Sequence, residues 1–485
     1  MLTAGIDVGT QSVRVVLLEE DGQVVASGTA PLDSNRSDGV RHEQDPEAWW
    51  EAVGIASRKC TETLSNGREM ESIAICSTSG TILLADVNGK PLTPALMYND
   101  SRAQEEARSA QEKGEKVWSS LGYRMRPSFA LPKLLWLLHN DPIDGAAHLM
   151  HSADFVATRL AGRPVDTDWS HALKTGYDLA NERWPEEVME SLGVPIEILP
   201  HVVRPGTELG EISEAAADHT GFPAGTPIRA GMTDSSAAQV AAGALQEGRW
   251  NSVLGTTLAL KGVTRELLRD PNGVVYSHRH PDGGWLPGGA SNTGAGVLST
   301  AFPDRDLAEL DEKARQHGPS TTAIYPLTTK GERFPFATPN ARGFKLEDPI
   351  DDVDRYRAVL EGVAFVERLC FSYLRSLGAQ VSEPVTLTGG GTKSRFWSQL
   401  RADVLEMPVT IPRSAEPSVG MAILAHAGES SVTETASRMS HTFEQFEPDA
   451  ERIERLAPNF ERLTKSFVER DYISDDLAEG SRMSQ

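Results

Sequence analysis

Leu2-Thr3-Ala4-Gly5-Ile6-Asp7-Val8-Gly9-Thr10-Gln11-Ser12-Val13-Arg14-Val15-Val16-Leu17-Leu18 stands at the start of the chain. Residues 2–8 form a short apolar run and Gly9 to Ser12 are turn formers. Val13 to Leu18 are again β-branched and aliphatic, so the stretch reads as strand, turn, strand. Asp21-Gly22 separates it from Val24-Val25-Ala26, a hairpin signal that makes three strands of the opening residues. Asp45-Pro46-Glu47 suits the start of a helix through Trp49 and Trp50, with a capping acid followed by proline at the first helical position. Ile73 to Cys76 reads as a buried strand running into Ser77-Thr78-Ser79-Gly80. Strands alternating with helices make this an α/β chain.

The same grammar returns in the middle of the sequence. Trp250 to Leu254 reads as a strand, Gly255-Thr256-Thr257 as a turn and Leu258 to Val263 as a strand. Two Gly-Thr turns in matching positions suggest duplication of one α/β unit. At 485 residues the chain exceeds one ordinary domain. The junction is expected near Leu245-Gln246-Glu247-Gly248, giving a first domain over 1–246, a second over 247–470 and a flexible tail over 471–485. Helical spacing covers about Ser235–Ala244, Tyr356–Leu377 and 449–468, and Val385 to Thr388 reads as a strand.

Charge excludes some partners. With 47 Lys plus Arg against 69 Asp plus Glu the net charge is −22, which disfavours nonspecific binding to nucleic acid or anionic membranes. A small anionic ligand stays possible, because glycine turns and helix ends hold phosphate without lysines. Cys60, Cys76 and Cys370 are odd in number and far apart. No disulfide framework follows, which suits a reducing, cytoplasmic setting. Neither a signal peptide nor an apolar run long enough for a membrane span is expected.

Four segments carry chemistry. In Asp7-Val8-Gly9-Thr10-Gln11-Ser12 a carboxylate ends a strand and a small-residue turn follows. This arrangement can hold a phosphate-bound Mg²⁺ and phosphate oxygens, or it is an ordinary β-turn. In Gly231-Met232-Thr233-Asp234-Ser235-Ser236 an acid stands where a strand gives way to a helix of small residues, as a helix cap or as a general base. Gly389-Gly390-Gly391-Thr392-Lys393-Ser394-Arg395-Phe396-Trp397 places three entropically costly glycines before a helix, which favours close approach of a flat ligand. Trp397 either flanks a base or belongs to the core. Gly255-Thr256-Thr257 is a second turn of phosphate-binding type. The chain has no GxxxxGK[ST] segment, no Gly-x-Gly-x-x-Gly after its first strand and no His or Cys cage for a metal.

Asp7-Val8-Gly9-Thr10, Gly231-x-x-Asp234, Gly255-Thr256-Thr257 and Gly389-Gly390-Gly391-x-Lys393 follow one another as they do in the FGGY carbohydrate kinases. The chain resembles that family from residue 1 to about 470. Pro132-Lys133-Leu134-Leu135-Trp136 and Val359-Leu360-Glu361-Gly362 support the likeness. Ser77 to Thr81, His171-Ala172-Leu173-Lys174-Thr175-Gly176-Tyr177, Gly289-Ala290-Ser291-Asn292 and Gly331-Glu332-Arg333-Phe334-Pro335 are most similar to the plant and cyanobacterial D-ribulose kinases. Bacterial xylulokinases usually carry Met-His where this chain has Thr81-Ile82, and the Arg-Glu pair of glycerol kinases is absent. Tyr98-Asn99-Asp100-Ser101-Arg102 keeps the Asn-Asp-x-Arg shape of typical sugar kinases.

The resemblance implies two ribonuclease H-like (actin-like ATPase) domains with a central cleft, the first for sugar and the second for nucleotide. It implies transfer of the γ-phosphoryl group of ATP, with Mg²⁺, to the terminal hydroxyl of a ketopentose, D-ribulose first. Asp234 would be the base. Asp7 would position Mg²⁺ and contact sugar, and Ser79, Asp100 and Arg102 would contact sugar. Gly9, Thr10, Gln11, Ser12, Gly255 and Thr256 would cradle phosphates, and Gly390, Gly391, Ser394 and Trp397 would form the adenosine side. Sugar and ATP are the expected partners of a monomer or homodimer. D-xylulose, L-ribulose or a pentitol is the alternative substrate. A chaperone-like ATPase or an actin-like filament protein is the reading from other classes. The stretch after Gly428, about 55 residues, is too short for a peptide-binding domain with its linker.

Overall fold

The computed structural model describes residues 1–62, 69–140 and 144–484. Its contacts divide into two units. The first holds Met1–Gly243, His278–Gly284 and Ser414–His441; the second holds Ala244–Ser277, Trp285–Arg413 and Thr442–Gln485. The junction after Gly243 lies close to the one expected at 246. The expected unbroken second domain over 247–470 is not found, because Ser414–His441 packs in the first unit.

The first unit is built on a six-stranded sheet with Leu2–Val8 near its middle. Ser12–Glu19 pairs antiparallel with it, and Val24–Pro31 lies antiparallel beyond. On the other side Met70–Ser77 and then Pro227–Arg229 run parallel, and Glu208–Glu211 closes the edge antiparallel. Every residue of Leu2–Val8 is buried, as expected of a strand covered on both faces. Helix Pro46–Thr61 packs against the outer strands, and helix Pro417–Ala427 packs on Leu2–Val8. The first of these begins as its sequence requires: Asp45 accepts the N–H of Glu47, and Pro46 opens the helix. A smaller five-stranded sheet, not foreseen from the sequence, joins Arg36–Asp38, Arg41–Gln44, Ala95–Leu96, Ile82–Ala85 and His148–His151.

The second unit repeats the plan of the first. Trp250–Leu254 takes the middle place, with Leu258–Gly262 and Trp285–Ser291 antiparallel on one side. Val385–Thr388 and Val409–Pro412 run parallel on the other, and Thr442–Phe446 closes antiparallel. The duplication suggested by two Gly-Thr turns is thus a duplication of strand order and direction. Helix Asp352–Ser376 crosses the core of this unit. A fully buried ion pair pins it, with Arg401 donating to both oxygens of Glu367 and to Ser252 Oγ. The tail expected to be loose is docked: Asp475–Gly480 is helical, Ile473 and Met483 are buried, and Arg368 donates to the carbonyls of Ser481 and Arg482. Burial of two apolar side chains and capture of free carbonyls by a guanidinium explain the order. All three cysteines are buried thiols.

Candidate active site

In the first unit the acids singled out by sequence meet. Asp7 is the sixth and last but one residue of a fully buried strand, level with Cys76 on the parallel neighbour. Its Oδ1 lies 3.7 Å from the Cys76 thiol. Burial, and after it the charge of Asp234, push the Asp7 carboxyl up to about 7, against the lowering effect of Arg14. The Cys76 thiol is pushed up by burial and then by the same two acids. Asp7 therefore feels the charge of Asp234, with Asp7 buried and Asp234 nearer the solvent. Asp234 is the first residue of helix Asp234–Ala241 rather than its cap, which is Thr233. The Asp234 carboxylate accepts the N–H of Ser235 at 2.6 Å and is half-buried.

A buried network holds Thr233 in place. Its N–H donates to Ser170 Oγ at 2.9 Å, and Ser170 Oγ donates to Asp168 at 2.5 Å. Asp168 also accepts the N–H groups of Ser170 and His171 and pairs with the His171 imidazole. Burial opposes charge on both members of this pair. Their mutual attraction prevails, holding Asp168 below and His171 above the ordinary range. The far nitrogen of His171 lies 2.9 Å from Ser77 Oγ, which also accepts the N–H of Ala153. Asp168 caps the short helix Trp169–Ala172, so its sequence context reads as a cap and conceals the pairing with His171.

The loop after Ser77 is held from below by Lys133. This lysine is fully buried and donates to the carbonyls of Gly80 at 2.5 Å and Met97 at 2.7 Å. Burial pushes its ammonium down to about 7. A lysine inside the apolar run Leu131 to Leu135 was the sequence signal for such a role.

The two Gly-Thr turns close alike. The N–H of Gly9 donates to the Ser12 carbonyl at 3.1 Å and that of Gly255 to the Thr257 carbonyl at 3.0 Å. The carbonyl of Thr10 is occupied by Gln44 at 2.7 Å, and Gln11 is exposed. Behind the second turn, Ala295 and Gly296 donate to the carbonyls of Gly255 and Thr256 at 2.9 and 3.1 Å. This backing segment is anchored by Glu332. The buried carboxylate accepts from the hydroxyls of Ser291, Thr293 and Tyr325 and from the N–H groups of Asn292 and Arg333.

Residues 2–241 match the family model for the N-terminal domain of the FGGY family of carbohydrate kinases, and residues 250–428 match that for its C-terminal domain. The chain belongs to the FGGY family of carbohydrate kinases. It is similar to a xylulose kinase of Klebsiella pneumoniae, 28% identical over 477 residues (96% of this chain, 98% of the relative). It is also similar to a gluconokinase of Bacillus subtilis, 27% identical over 448 residues (87% of this chain, 86% of the relative). Among solved structures, xylulose kinase from Rhodospirillum rubrum superposes with a TM-score of 0.87 at 23% identity, covering 97% and 99% of the two chains. Plasmodium falciparum glycerol kinase with ADP does so with a TM-score of 0.86 at 20% identity, covering 98% of each. This FGGY kinase thus has the two-domain, actin-like α/β fold of its family and is an ATP-dependent phosphotransferase acting on a sugar.

Three expected contacts of this kinase are corrected by its structure. Trp397 is 1% exposed and its indole N–H donates to the Leu360 carbonyl at 3.1 Å, so it is a core residue and not the flank of a base. The glycine triplet is only partly free for a ligand. A Cβ on Gly389 or Gly391 would meet Leu254 at 2.7 or 2.6 Å, whereas one on Gly390 would meet nothing within 4 Å. Close strand packing requires the outer two, and Gly390 is the one that faces open space. Asp100 is fully buried and Arg102 is closed around it, with a further bond to Glu43 and a place over the Trp136 ring. Asp100 also accepts the N–H of His42 at 2.7 Å. The pair braces its loop and presents no free carboxylate to a sugar. Ser394 caps helix Arg395–Leu405 by accepting the N–H of Trp397.

Proposed function

We propose that this FGGY kinase phosphorylates the terminal hydroxyl of an open-chain ketopentose, D-ribulose first, giving D-ribulose 5-phosphate. The observation that carries the reading is the electrostatic coupling of buried Asp7, at a strand end, to half-buried Asp234, at a helix start. Asp234, at the start of its helix and half-exposed, accepts the hydroxyl proton as the oxygen attacks the γ-phosphorus of ATP. Asp7 lies deeper. Burial and the neighbouring acid outweigh the positive charge of Arg14 at this carboxyl, so it fits a divalent ion or the donor hydroxyls of a sugar. Among the described residues no group of three or more His, Cys, Asp or Glu could hold a metal. This suits Mg²⁺ that arrives with ATP and keeps phosphate and water oxygens as its other ligands. Bound there, Mg²⁺ would neutralise charge on the transferred phosphoryl group. Gly255, Thr256 and Gly390 are assigned to the nucleotide, and Ser79 to the sugar.

D-ribulose is placed first because Thr81-Ile82 replaces the Met-His of bacterial xylulokinases. D-xylulose is the second reading, favoured by relatives named xylulose kinase at 25–29% identity. Coupled ADP release over D-ribulose, D-xylulose, L-ribulose, pentitols and glycerol separates them. The greatest kcat/KM is expected for D-ribulose. A maximum for D-xylulose moves the assignment to the second reading, and a flat response defeats both. Asp234→Asn is expected to lower sugar-dependent ADP release by ~10²-fold or more with the fold intact. Activity within a few-fold of wild type removes Asp234 from the mechanism.

A further inference from the structure

The Ser77–Thr81 loop carries four hydroxyls, and three are spent within the protein. Ser77 Oγ lies against His171 and the Ala153 N–H, and Thr78 Oγ1 and Thr81 Oγ1 lie 2.7 Å from each other. Ser79 Oγ is buried and has no hydrogen-bond partner among the described residues. Such a group costs free energy unless something else satisfies it. Lys174 stands beside it. Its ammonium donates to the Ser79 carbonyl at 3.1 Å and lies 5.4 Å from the centre of the Phe129 ring. The side chain is half-exposed. A lysine has three N–H donors, and the Ser79 carbonyl takes one of them.

The backbone secures this arrangement. Gly80 has φ of +94°, which disfavours any side chain, and a Cβ there would lie 3.2 Å from Lys174 Cδ. The Gly80 carbonyl is held from the other side by Lys133. Ser79-Gly80 is therefore clamped between two lysines, with Lys133 fully committed to carbonyls and Lys174 retaining donors.

We propose that Lys174 is a sugar-binding residue, donating with Ser79 Oγ to an oxygen of the open-chain sugar and so selecting substrates with a carbonyl or anionic oxygen at that place. This rests on the reading of the protein as a ketopentose kinase. A charge-assisted donor discriminates by acceptor strength: a ketone or carboxylate oxygen gains more from an ammonium than a polyol hydroxyl does.

The test is steady-state kinetics of the full-length protein with D-ribulose, D-xylulose, D-gluconate and ribitol, varying sugar and MgATP separately. Lys174→Met keeps the aliphatic stem over Phe129 and removes the donors. It is expected to raise KM for the best ketose about 10-fold or more, the range for one hydrogen bond to a charged group, and to leave KM for MgATP within twofold. Lys174→Arg is expected to recover at least part of the loss. Ser79→Ala, which removes one buried oxygen, is expected to raise the ketose KM by about 3-fold or more and serves if Lys174→Met does not fold. A ketose KM within twofold of wild type in both variants, or parallel rises in both KM values, overturns the proposal. Wild-type protein inactive on every sugar of the panel instead defeats the ketopentose reading beneath it.

Discussion

At the scale of single residues, Asp7 ties function to stability. Its folded-state pKa of about 7 stands above the ordinary aspartate value of 3.8, so between these values the folded protein holds a proton that the unfolded chain releases. The associated stability is complete below about pH 4 and is lost as pH rises through 7. Over that window the loss accumulates at up to about 1.4 kcal/mol per pH unit. Asp7→Asn, neutral at all pH, is expected to raise the melting temperature of the ligand-free protein at pH 8, with a smaller gain at pH 5. Thermal melts at the two pH values measure this, and equal gains at both would contradict a buried, proton-binding Asp7. The same substitution is expected to weaken use of MgATP. Both acids were legible as residues, since each sits at a break between secondary-structure types. Their mutual repulsion was not, because more than two hundred positions separate them in the chain. Trp397 shows the converse: its place after a glycine loop suggested a ligand, and the Leu360 carbonyl claims its indole N–H. Trp397→Phe is expected to leave KM for MgATP within twofold, whereas Trp397→Ala is expected to cost about 3–5 kcal/mol in denaturant melts, as large-to-small changes of a buried aromatic do.

At the scale of elements, the turns work only with their backing. The Gly255-Thr256-Thr257 turn takes two hydrogen bonds from Ala295 and Gly296. The segment leading to them, Ser291 to Thr293, converges on Glu332. Glu332→Ala would leave five donors without their acceptor. It is expected to destabilise the protein by about 3 kcal/mol or more in urea melts, each buried orphan costing about 1–3 kcal/mol before relaxation. A loss under about 1 kcal/mol would show that the segment stands without the carboxylate. Hairpins, strand ends and the capped helix at Pro46 were readable, because turn chemistry and periodicity act between neighbours. The Glu332 cluster was not, since a single glutamate in a Gly-Glu-Arg stretch carries no local sign of burial.

At the scale of the whole molecule, the chain order and the unit order differ. Ser414–His441 belongs with the first unit, where helix Pro417–Ala427 covers Leu2–Val8. A fragment of residues 1–243 is expected to lack cooperative thermal unfolding and to aggregate, through loss of the cover on its central strand. Fusing 414–441 to it through a flexible linker is expected to restore solubility. A monomeric, cooperatively melting 1–243 would contradict this. Sequence alone determined the α/β class, the two matching strand-turn-strand openings and the places of Asp7 near a strand end and Asp234 at a helix start, because these follow from local propensity and short motifs. Only the tertiary structure decided which glycine of the triplet is open, that Asp100 and Arg102 neutralise each other, and that Ser79 Oγ, beside Lys174, lacks a partner among the described residues. Those properties depend on which distant segments exclude water and supply hydrogen bonds, and chain folding sets that, not the order of neighbours.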